Sequence, residues 1–302
     1  MSIVRHLLAA MLVFGSLYLL PGSARAETFN TCAGFIDSLP ATISSQGTWC
    51  LRGNLSTAIT SGTAITIATN NVTIDCNNFK IGGLAAGPGT FAEGIGASAR
   101  LNATIRNCSI RGFRIGIHLD SNLGGNHLVE NNRVDSNTLA GIFVDGDGSM
   151  VRGNVVSDTG GTTITFDTRS WGIATNGTVD IIDNTVSNVV AYQASDSSRA
   201  IGISAFVNPG GVIQRNRVRG LVPGPSAGAA QEGISSINVG SHPEISDNVI
   251  VGTGVDGLTD VAIHCNGPDA AALVYNNRIL KFGAGTAVAV HCIDAGNITD
   301  AP

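Results

Sequence analysis

The sequence predicts an all-β, single-domain fold: a right-handed parallel β-helix, a solenoid of about eight coils behind an N-terminal cap. Three observations predict it. The run Asn131-Asn132-Arg133-Val134 returns along the chain. With Asn132 as anchor, the matching positions are Asn77, Cys108, Asn154, Asn184, Asn216, Asn248 and Asn277, at gaps of 31, 24, 22, 30, 32, 32 and 29 residues. Two places after each anchor stands an apolar residue: Phe79, Ile110, Val134, Val156, Val186, Val218, Ile250 and Ile279. A Gly-Ile pair or its equivalent then follows in every period: Gly94-Ile95, Gly116-Ile117, Gly141-Ile142, Gly172-Ile173, Gly202-Ile203, Gly233-Ile234, Ala262-Ile263 and Ala289-Val290. Finally, no helical apolar period of any length occurs past the N-terminal segment. Stretches of Val, Ile and Thr alternate instead with Gly, Asn, Asp and Ser, the composition of strands and turns.

Units of this length cannot bury an apolar face alone, but stacked copies can, each strand pairing with its copy in the next coil. Parallel crossovers are right-handed, and stacked coils repeat at about 4.8 Å. The anchor Asn suits both a left-handed turn and a side-chain ladder to the next coil. Most variation in period falls between the Asn and Gly-Ile signals, which places the loops there: 81–93, 158–171, 188–200 and 220–232.

In chain order, residues 1–26 read as a secretory signal: Arg5 and His6, an apolar run from Leu7 to Leu20, then Ala24-Arg25-Ala26. The run is short for a membrane anchor and is broken by Pro21-Gly22. The chain carries 17 basic and 22 acidic residues; removal of Arg5 and Arg25 leaves 15 − 22 = −7. That balance argues against nucleic acid as a partner; the signal segment predicts a secreted, extracellular or periplasmic, protein without an integral membrane span. Residues 27–55 form the cap and 56–302 the β-helix domain. Cys265 and Cys292 occupy the same phase of consecutive coils and are expected to bond. Cys32 and Cys50 bracket the cap segment. Cys76 and Cys108 remain, paired by elimination, with a buried free thiol as the alternative. No Cys-x-x-Cys occurs, which argues against zinc.

The Asn-x-apolar and Gly-Ile alternation over residues 56–293 resembles the repeats of the pectate-lyase-like superfamily, and Asp37-Ser38-Leu39-Pro40 through Gly47-Thr48-Trp49-Cys50 resembles the cap before such helices. The resemblance implies a substrate cleft on the Gly-Ile strand, walled by the preceding loops, in a protein that binds polysaccharide; whether it also cleaves it, as an acidic-glycan lyase or glycoside hydrolase, is left open. The rival reading is a non-catalytic carbohydrate-binding or surface protein. The Asn-Thr-Asp, Asp-Asp, Gly-His-Gly and Arg-Ile-Lys signatures of polygalacturonases are absent, as are the Asp-Pro-His of mannuronan epimerases and the Arg-x-x-Pro-x-x-Arg segment of pectate lyases.

On the Gly-Ile strand the Ile points inward, so the next residue points out: Gly96, His118, Phe143, Ala174, Ser204, Ser235, His264 and His291. Two places on come Asp120, Asp145, Asn176, Phe206, Ile237, Asn266 and Ile293. Asp120 and Asp145 in adjacent coils, with His118, form the candidate catalytic group, and Arg169 the candidate base. Asp120, Asp145 and Asp147 are the candidate metal ligands; no cofactor is required, and the ion they would suit is Ca2+. Trp171, Tyr192, Arg199 and Glu232 are candidate substrate-binding residues. The bland alternative is that both Asp-rich runs are ordinary turns. Oligomeric state is left open by the sequence.

Overall fold

The structure, a computed structural model, describes residues 31–120, 124–192, 198–206, 210–225, 229–237, 243–254, 260–266, 272–282, 286–289 and 291–300. The signal segment lies outside these residues, as does Val290. Among the described residues strands stack into three sheets of eleven, ten and ten members, and adjacent strands pair in parallel. Each coil contributes one strand to each. The approach sheet holds strands such as Leu128–Glu130 and Ser149–Arg152; the Asn sheet holds Arg133–Asp135, Val155–Gly160 and Thr185–Val190. The Gly-Ile sheet holds Ile115–Asp120, Ala140–Asp145 and Arg169–Asn176. Among the described residues the helical content is a 3-10 turn at Leu84–Ala86. The core is a stack of equivalent apolar residues: Ile95, Ile117, Ile142, Ile173, Ile203, Ile234 and Ile263 lie in register and are fully buried. Each contributes about 2 kcal/mol of burial.

From Asn132 onward the anchor residues form an unbroken buried ladder. The backbone N–H and Nδ2 of Asn154 both donate to Asn184 Oδ1, at 2.9 and 3.0 Å, and Asn184 repeats this on Asn216. Asn216, Asn248 and Asn277 continue it to Asn297. Each Nδ2 also donates back to a carbonyl of the preceding coil, as from Asn184 to Val151 O at 2.8 Å. The left-handed backbone, however, belongs to the residue before each anchor: Asn131, Gly153, Asp183, Arg215, Asp247 and Asn276 have φ of 55 to 64°. Turn and ladder are therefore separate tasks on neighbouring residues, since an amide pinned along the stack cannot also satisfy its own turn.

Register corrects both ends of the repeat. Lys80 pairs with Ser109, so Phe79 is level with Cys108, and Ile81 rather than Phe79 is the apolar residue of that coil. Asn77 and Asn78, both left-handed, enlarge that turn by two residues. At the far end Val288 pairs with Ile263, so Ala287-Val288, not Ala289-Val290, continues the Gly-Ile column. His291 consequently does not stack on His264, and Ile293 pairs with Leu273 in the approach sheet, away from the Gly-Ile face. The Gly-Ile sheet exceeds the eight coils counted from sequence because Ala41–Ile43 lacks the Gly-Ile signature and Thr63–Ile67, whose Ala64-Ile65 is in register with Gly94-Ile95, precedes the first anchor Asn77.

The segment assigned to the cap is built as the first rung. Gly34–Ile36, Gly47–Leu51, Ala41–Ile43 and Leu55–Ser56 each pair in parallel with the following strands, and the boundary at 55/56 falls inside one of them. All three disulfides form: Cys32–Cys50, Cys76–Cys108 and Cys265–Cys292. The last joins strand Val261–Asn266 to the turn after Thr286–Val288, out of phase yet with Cα atoms 5.4 Å apart. Part of what the spacing predicts as loop is strand: Val155–Gly160, Thr185–Val190 and Arg217–Val222 run on past left-handed kinks at Asp158, Asn188 and Gly220.

Candidate binding face

The Gly-Ile pair turns two successive residues toward the core. A Cβ on Gly94 would meet Ile110 and Phe113 inside, while Ile95 is fully buried beside it. The residue before the Gly therefore points outward. Three outward columns result, led by Glu93, Gly96 and Ser98.

Glu93 Oε1 lies 2.6 Å from His118 Nδ1, and Thr63 Oγ1 donates to Glu93 Oε2 at 3.2 Å. The His118 ring meets the Phe143 ring edge-on at 5.2 Å. Phe143 and Trp171 then pack over Ile115, Leu139 and Ala140, and Trp171 meets Phe206 edge-on at 6.1 Å. Further along, Glu232 pairs with Arg199 and lies 3.5 Å from His264 Nδ1. Burial pushes the Glu232 carboxyl up, but His264, Ser235 and the Arg199 guanidinium outweigh it and hold the pKa at about 2. The two Glu–His pairs are equivalent in register. His118 stands three residues past Ile115, the partner of Glu93; His264 stands three past Val261, the partner of Glu232. Five strand steps separate them, about 24 Å at the inter-strand spacing.

One wall of the face is an interloop contact. Thr163 N donates to Pro88 O at 3.3 Å, and Arg114 holds the buried Asp167 through Nε at 3.0 Å and Nη2 at 2.8 Å. This sets Phe166 against Phe91 at 6.2 Å, with the Arg114 guanidinium 5.8 Å from the Phe91 ring. Both aromatic rings are exposed, 49% at Phe91 and 67% at Phe166.

The sequence-derived candidates are only partly brought together. Asp120 accepts from Ser98 Oγ at 3.5 Å and Asp145 from Asn176 Nδ2 at 3.4 Å, each in an outward column. His118 is held by Glu93, not by either Asp. Asp147 accepts from Thr178 N at 2.7 Å and braces the next turn. Among the described residues no three His, Cys, Asp or Glu side chains gather as ligands of one ion, Asp120, Asp145 and Asp147 included. Arg169 is exposed at the start of its strand, level with Arg199. Arg199 is engaged by Glu232, and Glu232 is itself too buried to touch a ligand directly, at 3% side-chain exposure. Trp171 lies on the face; Tyr192 is half-buried just past Thr185–Val190 and makes no hydrogen bond or ring contact with the described residues. Glu93, His264, Phe143 and Phe206 escaped as site residues. A signal for the Glu–His pairs was present: Glu-Gly-Ile occurs at 93–95 and 232–234, and in each case the next coil reads Ile-His.

Residues 43–199, more than half of the chain, match the family model described as right handed beta helix region, and the chain belongs to that family. The parallel solenoid agrees with the resemblance to the pectate-lyase-like superfamily. Comparisons with curated proteins and with solved structures found no match. Among the described residues no helix is long and apolar enough to cross a membrane.

Proposed function

We propose that this is a secreted protein that binds a polysaccharide chain along the outward Gly-Ile face. The observation that carries this reading is the row Phe143, Trp171, Phe206 lying between two equivalent Glu–His pairs. Aromatic rings offer apolar faces to sugar rings; Glu93 and the two imidazoles offer acceptors and donors to hydroxyls, while the buried Glu232 positions His264 and Arg199. Three disulfides support an oxidising destination. Glu93, Asp120, Asp145 and Glu232 outnumber Arg169 and Arg199 on this face, which favours an uncharged glycan there over a uronate.

Cleavage is a second reading, favoured by one observation. A carboxylate 2.6 Å from His118 Nδ1 fixes the orientation of the ring, as general acid–base catalysis requires. A glycan array with wild type, Trp171→Ala and Phe206→Ala tests the first reading. Binding of a neutral glycan that falls about tenfold or more in both variants supports it, and unaltered binding in both rejects it. Product assays on the bound glycan with His118→Asn test the second: turnover equal to wild type removes His118 from the chemistry.

A further inference from the structure

We propose that the outward face of the Asn sheet is a second, separate binding surface, for a polyanionic polysaccharide. Arg133, Arg217 and Arg278 share one outward column, with Val155, Thr185 and Val249 between them. Arg219 stands two residues past Arg217, so its side chain leaves by the same face. All four are exposed, and none makes an ion pair or side-chain hydrogen bond among the described residues. The arginines elsewhere are mostly engaged: Arg52, Arg106, Arg114, Arg152 and Arg199 each hold a carboxylate.

The local charge runs against that of the whole chain. In the strand positions that face outward, Lys80, Arg111, Arg133, Arg217, Arg219 and Arg278 oppose two carboxylates: Asp135, paired with Arg111 at 2.9 Å, and Asp158, held by Asn188 Nδ2 at 2.6 Å. Three further carboxylates, Asp183, Asp247 and Asp300, border the face at its turns. Asp183 is held by Arg215, Asp247 accepts from Gln214 Nε2, and Asp300 accepts from Lys281 N. A protein of net charge −5 thus concentrates its uncompensated cations on one sheet. This surface stands apart from the Gly-Ile face, where carboxylates predominate.

Geometry selects the partner. Three strand steps separate Arg133 from Arg217 and two separate Arg217 from Arg278, about 14 and 10 Å along the stack. Such a line of cations on a flat sheet matches an extended chain carrying anionic groups at intervals. No aromatic side chain stands between the arginines for bases to stack on, and a flat sheet does not enter a duplex groove.

The test uses the mature chain and three polymers of one backbone: dextran, carboxymethyl-dextran and dextran sulfate, with phosphatidylglycerol vesicles and DNA as competing arms. The expected result is binding of both charged dextrans but not of dextran, weakening steeply as salt rises. The triple variant R217Q/R219Q/R278Q should lose about tenfold or more in affinity. Neutral-glycan binding at the Gly-Ile face should persist in it, which separates failure of this proposal from failure of that one. If the triple variant has an altered melting curve, the single variants R217Q and R278Q carry the test, each weakening binding about two- to threefold. Unchanged affinity in the variants, no binding of the charged dextrans at low salt, or tighter binding of vesicles or DNA than of either charged dextran overturns the proposal.

Discussion

Gly172 and Val186 share one space: a Cβ on Gly172 would lie 2.3 Å from Val186 Cγ1 and 2.6 Å from the Gly202 carbonyl oxygen. The same relation joins Gly116 to Val134, Gly141 to Val156 and Gly202 to Val218. The apolar residue after each anchor Asn and the Gly of the preceding Gly-Ile pair are thus two halves of one packing contact between successive coils. That is why the two signals travel together along the chain.

Gly172→Ala is expected to destabilise the fold by about 2 kcal/mol or more, because neither the carbonyl of Gly202 nor Val186 can withdraw from a close-packed stack. Adding Val186→Ala should recover only part of the loss, since the carbonyl clash remains. Urea unfolding of the two single variants and the double variant measures this coupling. Additive effects in that cycle would show that the two residues do not compete for space.

Asn184→Ala removes the acceptor of two Asn154 donors and the donor to Val151 O, all buried. A loss of about 2–4 kcal/mol is expected. Asn297→Ala, at the half-buried end of the ladder, should cost about half as much or less, because water reaches the groups it frees. Equal losses at both positions would contradict a ladder whose strength depends on burial.

Acid should act in two windows. Burial pushes the His127 imidazole below its ordinary 6.5, against the pull of Asp145, so its contribution is present above pH 6.5 and is lost as the pH falls below it. Glu232 is depressed from 4.5 to about 2, so its contribution is present above pH 4.5 and is lost as the pH falls toward 2. That second loss is at most about 3 kcal/mol. Thermal unfolding from pH 8 to 2.5 should show Glu232→Gln with a smaller loss in the lower window, where Asp183, held down by Arg215, still titrates, while keeping the upper one.

Replacing Cys76 and Cys108 together by Ser opens a bridge that spans 32 residues and should cost about 2–4 kcal/mol. The comparison is of unfolding midpoints against wild type under oxidising conditions. A midpoint unchanged by the double substitution would mean that the strands on either side already restrain this part of the unfolded chain.

The repeat could be read because its physics is periodic. Asn154, Asn184 and Asn216 must lie above one another for their amides to bond, and Gly172 and Gly202 must be bare for Val186 and Val218 to fit. Reading failed where the period breaks. Two extra left-handed residues at Asn77 and Asn78 shifted one anchor, and the shortened final strand Thr286–Val288 moved His291 off the face. Asp120 and Asp145 drew notice because Asp in adjacent coils suggests chemistry, yet each bonds to Ser98 or Asn176, and His118 is held elsewhere.

The sequence by itself determined the winding: strand, turn and core positions follow from local residue type and from a spacing that only a stacked coil satisfies. Tertiary structure alone decided which side chains meet across coils. Glu93 reaches His118, Glu232 reaches Arg199 and His264, and Arg114 reaches Asp167 because the inward turn of each Gly-Ile pair throws the preceding residue outward and the loops fold across neighbouring rungs. Those contacts depend on side-chain direction and loop path, of which residue type and spacing carry only the Glu-Gly-Ile followed by Ile-His in the next coil.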